Sequence, residues 1–369
     1  MGIYALTELL ESAPIYRQLA ESLRRNRALS STQVIDEAVP FLLATLWRDL
    51  RTPFLIICPS GEYSQRLEER ISAWTEGEGR PLRFGESETL PFERLVTDWG
   101  TSQQRLSTLA EMTNPNNTCP LVIASATAIC QGTIQRDIFD KSKHTLSLGD
   151  EVSSEELLMQ WQEMGYTIEP TVTSPGGVAR RGGILDIYPL GSEIPYRIEL
   201  WGDEIDSIRK FSPTTQKSLA QVKSVDVFPA RETLPMMLNN ETLDRVLGRV
   251  DVSDCSPSET ERFNSEIDLL LEGHEIEDLN LYSGFFNRGS LLDYFADDGI
   301  VIVYRPTDVS NAAWDTEERI QVLRQSKEER GELPYNFPSN HVKWSKIESA
   351  LASKRRQLNV MPWGAEDLI

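Results

Sequence analysis

Cysteine and histidine are scarce in this 369-residue chain, and their placement excludes several chemistries. The four cysteines, Cys58, Cys119, Cys130 and Cys255, are dispersed with no Cys-x-x-Cys pair, and the three histidines, His144, His274 and His341, stand far apart. A structural zinc site needs such ligands clustered at short spacings, and nucleophilic catalysis needs a base beside its nucleophile. The sequence offers neither, so no metal is expected, no catalytic residue is assigned, and the histidines read as ordinary surface or satisfied core side chains. So little cysteine, with Cys58 closing the apolar run Phe54-Leu55-Ile56-Ile57-Cys58, suits a reducing cytosol and a buried strand thiol.

Positive charge is also in short supply. Lys and Arg number 37 against 57 Asp and Glu, a formal net charge of -20. General phosphate binding needs clustered cations that displace counterions, so weak nucleic-acid binding is expected. The longest basic cluster, Lys354-Arg355-Arg356, reads as a solvated helix end. The order G-x-x-x-x-G-K-[ST], which cradles nucleotide phosphates, does not occur, and no nucleotide cofactor is expected. Long apolar runs are missing too: no segment approaches membrane-spanning length, and the amino terminus has no basic lead. Position 6 is Leu6, where N-myristoylation needs serine or threonine. A cytoplasmic protein without a membrane partner is expected. The hydrophobic content of 40% excludes a disordered chain and supplies cores for about two or three domains.

What is present reads as α/β, then a small mixed domain, then α/β again. Helical patterning over Ile15–Leu23 and Phe41–Leu50 precedes the buried strand Phe54–Cys58, which Pro59-Ser60-Gly61 ends. A helix with Leu67 and Ile71 in phase follows, and after the Asn114–Asn117 loop comes a second apolar strand, Leu121–Ala124. Apolar strands alternating with helices imply a mainly parallel sheet covered on both faces. In the middle domain Ser153 and Glu156 form a capping-box pattern, Leu157, Trp161 and Met164 follow at helical spacing, and Gly165 stops the helix. Further on, Asp251–Asn280 is acidic and helical in pattern, Gly299–Tyr304 is a buried strand, and Thr316–Gln325 a charged helix. The acidic stretch Val34–Val39 resembles a helicase metal-holding motif but lacks an apolar strand upstream, and reads as acidic residues near a helix start.

The most informative stretch runs from Arg180 to Arg209. Arg180-Arg181-Gly182-Gly183-Ile184-Leu185-Asp186 and Tyr196-Arg197-Ile198-Glu199-Leu200-Trp201-Gly202-Asp203-Glu204 read as a β-meander. The two-residue period puts Tyr196, Ile198 and Leu200 on one face and Arg197, Glu199 and Trp201 on the other. Arginine and tryptophan on the less apolar face are the residue types that anchor protein interfaces. The competing reading has Trp201 capping the core and Arg197 pairing Glu199 or Asp203.

This segment resembles the module shared by the bacterial transcription-repair coupling factor (Mfd) and the excision-nuclease subunit UvrB. The block Glu88-Thr89-Leu90-Pro91-Phe92, the helix Arg105-Leu106-Ser107-Thr108-Leu109 and the strand Leu121–Ser125 are similar to the coupling factor's amino-terminal domain, in its order. The similarity runs from about residue 30 to about residue 345, weakening after Glu232. It implies a degenerate, RecA-like helicase domain with a parallel sheet, interrupted by a small α+β domain that contacts UvrA. The expected division is 1–139 and 213–350 for the two parts of the α/β domain, 140–212 for the insertion, and 351–369 for a linker or truncated end.

Two departures from UvrB shape the functional expectation. Where UvrB carries its phosphate loop this chain reads Leu29-Ser30-Ser31-Thr32-Gln33-Val34-Ile35, without glycine or lysine, and between Leu90 and Arg105 there is no room for UvrB's tyrosine-rich DNA hairpin. The resemblance therefore implies a non-catalytic adaptor that recruits UvrA to stalled RNA polymerase in nucleotide excision repair, with polymerase and DNA contacts made by carboxyl-terminal domains absent here. The alternatives are a UvrB-type ATPase that loads onto damage, or a domain that masks the rest of a longer translocase. Residue by residue, the resemblance assigns UvrA docking to Arg181, Arg197 and Trp201, with Arg180 a weaker candidate and Glu199 orienting Arg197.

Overall fold

The computed structural model describes residues 3–25, 30–75, 79–95, 99–237, 240–272, 274, 276–354 and 356–363. Its first four strands are β1 (Ser30–Val34), β2 (Phe54–Cys58), β3 (Leu82–Phe84) and β4 (Leu121–Ser125). Eight more, β5 (His144–Ser147), β6 (Thr167–Ile168), β7 (Gly177–Arg181), β8 (Ile184–Ile187), β9 (Tyr196–Trp201), β10 (Glu204–Phe211), β11 (Ser218–Val222) and β12 (Ser224–Val227), interrupt the sheet begun by the first four. The chain returns to it with β13 (Ile300–Tyr304) and β14 (Gln357–Pro362).

The principal sheet has the order β1-β14-β13-β2-β4-β3 and is parallel throughout. Alternation along β2 sends Leu55 and Ile57 into one core, with Val122, Ala124 and Val301, and Phe54, Ile56 and Cys58 into the other, with Leu121, Ile123 and Ile302. Helices Pro14–Arg24 and Val39–Leu50 cover the second face through Tyr16, Leu23, Leu43 and Leu46. Helices Trp99–Met112, Pro306–Glu329 and Trp344–Ser353 cover the first through Leu106, Leu109, Val309 and Ile347. Coverage on both sides explains why β2 reads as an unbroken apolar run rather than an alternating one. Truncating Ile56 to alanine there costs about 2–5 kcal/mol.

Residues 351–369, expected to be a linker or truncated end, contain a structural strand instead. β14 is hydrogen-bonded between β1 and β13, with Leu358 and Val360 buried. Only two of its positions are buried, because the neighbouring strands satisfy its backbone and alternate residues suffice to face the core. Lys354 caps the preceding helix and pairs with Asp297 at 3.1 Å, while Arg355 lies outside the described residues. β1 is likewise polar in sequence because it is an edge strand, alternating between exposed and half-buried. The charged helix expected over Thr316–Gln325 is the interior of Pro306–Glu329.

The inserted domain leaves and re-enters through the antiparallel ribbon β5–β12, in which His144 pairs with Val227 and Ser147 with Ser224. Its own sheet has the order β11-β10-β9-β8-β7-β6, so it continues to Val222, past the expected boundary at 212. The sequence Ser-Leu-Ala-Gln-Val of β11 is too polar to announce a strand. Helix Ser154–Glu163 packs Leu157 and Trp161, with Met164 beyond its end, onto Leu185, Ile198, Ile205 and Ile208 of the sheet. Ser153 Oγ accepts the Glu156 N–H at 3.4 Å at its start, and Gly165 leaves it at φ +87°, where L side chains are strained.

The first and third segments lock together at two points. Arg105, 3% exposed, donates its Nε to Glu232 at 2.9 Å, its other nitrogens to the carbonyls of Gly85 and Gly132, and stacks 4.0 Å over Phe84. Phe92 is buried beside Phe337 beneath the Arg324 guanidinium, and Arg94 pairs with Glu266 and Asp278 at 3.0 and 2.9 Å. The segment from Leu90 to Arg94 is thus fastened down; Val96–Asp98 lie outside the described residues.

Candidate partner-docking surface

Two tight hairpins build the candidate surface. β7 and β8 are joined by Gly182-Gly183, with Gly182 at φ +63°, so Arg181 pairs with Ile184. β9 and β10 are joined by Gly202-Asp203, with Gly202 at φ +64°, so Trp201 pairs with Glu204. Two-residue loops of this kind need positive φ, which glycine supplies without a steric penalty. Leu200 N–H donates to Gly183 O at 2.8 Å, bringing both turns to one end of the sheet. Arg181 therefore closes its strand and lies at the same end as Trp201.

Cross-strand register fixes which side chains share a face, since directly paired residues project the same way. One row is Arg181, Ile184, Glu199 and Ser207; the next is Ala179, Asp186, Arg197, Arg209 and Gln221. The face expected to carry Arg197, Glu199 and Trp201 does so, with Arg181 on it. Arg180 is on the opposite face, with Leu185, and ion-pairs Glu155 of the covering helix at 3.3 Å. It is separated from the other candidates by the sheet itself.

The five candidates differ in how committed they already are. Trp201 is 83% exposed, held at a hairpin end with no apolar cover. Arg181 is exposed and donates through Nη2 to Pro170 O at 2.9 Å and Thr171 Oγ1 at 2.8 Å, which orients it across the face. Arg197 is only 18% exposed in its side chain: Nε and Nη2 meet both oxygens of Asp186 at 2.7 and 2.8 Å, Nη1 reaches Gln216 O at 3.3 Å, and the guanidinium lies 4.7 Å over Phe211. Hydrogen bonds to Asp186 hold its pKa above the usual arginine value, against the opposing effect of burial. Glu199 does not orient Arg197. It accepts from Ser207 Oγ at 2.8 Å and pairs with Arg209 at 3.1 Å, while the buried Asp186 does the orienting. Asp186 was visible in the sequence; only the cross-strand register, one strand over from Arg197, reveals its role.

The stretch that the resemblance sets against UvrB's phosphate loop is strand β1 and the turn after it. β1 runs through Ile35 into the 3-10 turn Asp36–Ala38 and helix Val39–Leu50. Asp36 accepts from Arg305 Nη2 at 2.8 Å and Tyr304 hydroxyl at 3.0 Å. The acidic stretch read as a helicase decoy is therefore a tied turn, consistent with its reading as acidic residues at a helix start.

Buried titratable groups away from this surface are structural. Cys58 and Cys130 are buried thiols, burial pushing both pKa values up, that of Cys130 to about 12. Trp161 Nε1 donates to His144 Nε2 at 3.1 Å, and burial lowers the pKa of His144. His341 is half-buried and similarly depressed, and the exposed His274 lies 3.5 Å from Glu272. Among the described residues no group of three or more His, Cys, Asp or Glu side chains could hold a metal ion, and no helix is long and apolar enough to cross a membrane.

Comparison with known sequences gives the surface its context. The family described as UvrB interaction domain matches residues 145–232, from β5 through the inserted sheet to the loop beyond β12. The chain is 26% identical over 291 residues to the transcription-repair-coupling factor of Bacillus subtilis, an alignment covering 75% of this chain and 24% of that protein. For the transcription-repair-coupling factor of Escherichia coli the figures are 29% over 180 residues, 49% and 15%. For UvrABC system protein B of Cytophaga hutchinsonii they are 25% over 318 residues, 78% and 47%. The chain thus spans about a quarter or less of these coupling factors and about half of that UvrB relative. With its parallel sheet interrupted by that domain, the chain is a UvrB-like module of the transcription-repair coupling factor kind, built around a UvrB interaction domain.

Proposed function

We propose that this chain is a non-catalytic adaptor that binds UvrA, and that in nucleotide excision repair it serves to bring UvrA to a stalled RNA polymerase. The observation that carries the reading is Trp201, 83% exposed at the end of a two-residue hairpin, on one face with Arg181. An indole held out by ordered backbone has lost little freedom left to lose on binding, and its burial against a partner contributes most where charged groups frame it. Arg181 stands on the same face two strands away, tied to Pro170 and Thr171, and Arg197 acts chiefly by shaping the face through Asp186. Polymerase and DNA contacts belong, in this reading, to parts of the longer relatives that the chain does not span.

The absence of turnover is part of the proposal. Its support is chemical: the turn after β1 presents Asp36, already held by Arg305 and Tyr304, and Glu37 where a phosphate loop presents glycine amides and lysine, and these carboxylates offer a triphosphate no donor. The test is size-exclusion chromatography of the purified chain with purified UvrA, without added nucleotide. A stoichiometric complex at about 10 μM of each protein supports the adaptor reading, and separate elution at that concentration contradicts it.

A further inference from the structure

We infer that β11 is an open docking edge for an extended segment of a protein partner, apolar at its centre and acidic at both ends. The inference does not depend on UvrA binding. Among the described residues β11 terminates the inserted sheet and pairs only with β10, so its outer backbone groups have no described strand beyond them. Lys217, Ser218, Leu219, Ala220 and Gln221 are all exposed, Leu219 to 60%. Exposed edges are ordinarily guarded by charge, proline or a covering element. The strand Ser-Leu-Ala-Gln-Val carries no charge and no proline, and a single bulge at Leu219, between the Phe211–Ser218 and Lys210–Ala220 pairs, interrupts its register with β10 while leaving its outer edge uncovered. Such an edge is a template for strand addition, in which backbone hydrogen bonds give affinity and alternate side chains give selectivity.

Charge decides the occupant. Lys217 and Lys223 flank the strand, both exposed, and Lys210 stands on the adjacent β10, where Arg209 is already paired with Glu199. Antiparallel pairing with a second copy centred on Ala220 would set Lys217 opposite the other copy's Lys223 at both ends, and like charges directly opposed destabilise a ladder. A strand with carboxylates at its ends converts both repulsions into attractions and still offers Leu219 an apolar neighbour. Gln221 lies in one cross-strand row with Arg209 and Arg197, so a strand added here extends the face that carries Trp201.

The test is amide hydrogen exchange on the full chain with a blocked peptide Glu-Thr-Val-Thr-Val-Thr-Glu, and with its counterpart carrying lysine at both ends. Saturable protection centred on residues 218–222, reached at a concentration at least tenfold lower with the acidic peptide, is expected. Lys217→Glu with Lys223→Glu, two exposed changes that leave the melting temperature in place, should invert the preference. No protection at about 1 mM peptide, the weak limit of specific recognition, overturns the inference. So does equal protection by both peptides, a preference unmoved by the charge reversal, or peptide-free dimerisation that itself protects β11.

Discussion

Replacing Arg197 by alanine should destabilise the inserted domain, whatever its effect on a partner. The Asp186 carboxylate is 1% exposed, and both its oxygens are held by Arg197. Removing one member of a buried pair strands the other charge, at about 3–5 kcal/mol. Water can partly refill the place of a guanidinium that is itself 18% exposed, which brings the expected loss to about 2–3 kcal/mol, including its packing on Phe211. Arg197→Met combined with Asp186→Leu removes both charges and keeps the volume, so most of that loss should return. Trp201→Ala should change stability by no more than about 0.5 kcal/mol, since its ring is solvated. Urea titrations followed by tryptophan fluorescence read these differences from midpoint and slope. An Arg197→Ala midpoint within about 0.5 kcal/mol of wild type, or a double variant weaker than the single, would refute the assignment of the pair as a structural unit. The same double variant provides a folded protein without the guanidinium, in which any direct contact of Arg197 with a partner can be measured.

Arg105→Ala should cost about 2–4 kcal/mol by leaving the half-buried Glu232 with only the Thr133 hydroxyl as partner and two carbonyls unmet, and Arg105→Lys should not restore the loss, because an ammonium cannot reproduce the fork; chemical denaturation checks both. Stability should fall on acidification. Burial depresses the pKa of His144 and His341 below the ordinary histidine value of 6.5, so the unfolded chain takes up their protons first. Their contribution is present above about pH 6.5 and is lost as pH drops through the folded values, and protonating His144 also costs it the Trp161 hydrogen bond. Comparing urea midpoints at neutral and mildly acidic pH for wild type and His144→Gln tests this, the variant showing the shallower decline. Calorimetric titration with Mg-ATP should give no binding isotherm, and a micromolar affinity would overturn the adaptor-only reading. Gel shifts should show weak DNA binding without preference for damaged duplex, and a clear preference would contradict the account of the segment after Leu90.

The sequence announced those parts of the fold whose burial is complete. Phe54–Cys58, Leu121–Ser125 and Ile300–Tyr304 are continuous apolar runs because both sides of their sheet are covered, and the helix Ser154–Glu163 carried its own start and stop residues. β1, β11 and β14 were not legible as strands. Two are edges, and the third is short, with polar Gln357 and Asn359 interrupting its apolar residues, so tertiary pairing rather than local pattern makes them strands. The display of Trp201 was legible from strand periodicity together with the glycine that follows it. The separation of Arg180 from Arg181 follows from the same periodicity, though the paired arginines invite being read together. The ties of Arg197 to Asp186 and of Glu199 to Arg209 depend on register across strands, which one chain's spacing does not specify.

The central claim is tested most directly by the affinity of purified UvrA for Trp201→Ala, measured against wild type by interferometry, with urea midpoints confirming an unchanged fold. Loss of an interface anchor of at least about 2 kcal/mol predicts a dissociation constant raised about thirtyfold or more. An unchanged dissociation constant for this folded variant would contradict the account, and would place any UvrA contact on some surface other than the hairpin face of the inserted domain.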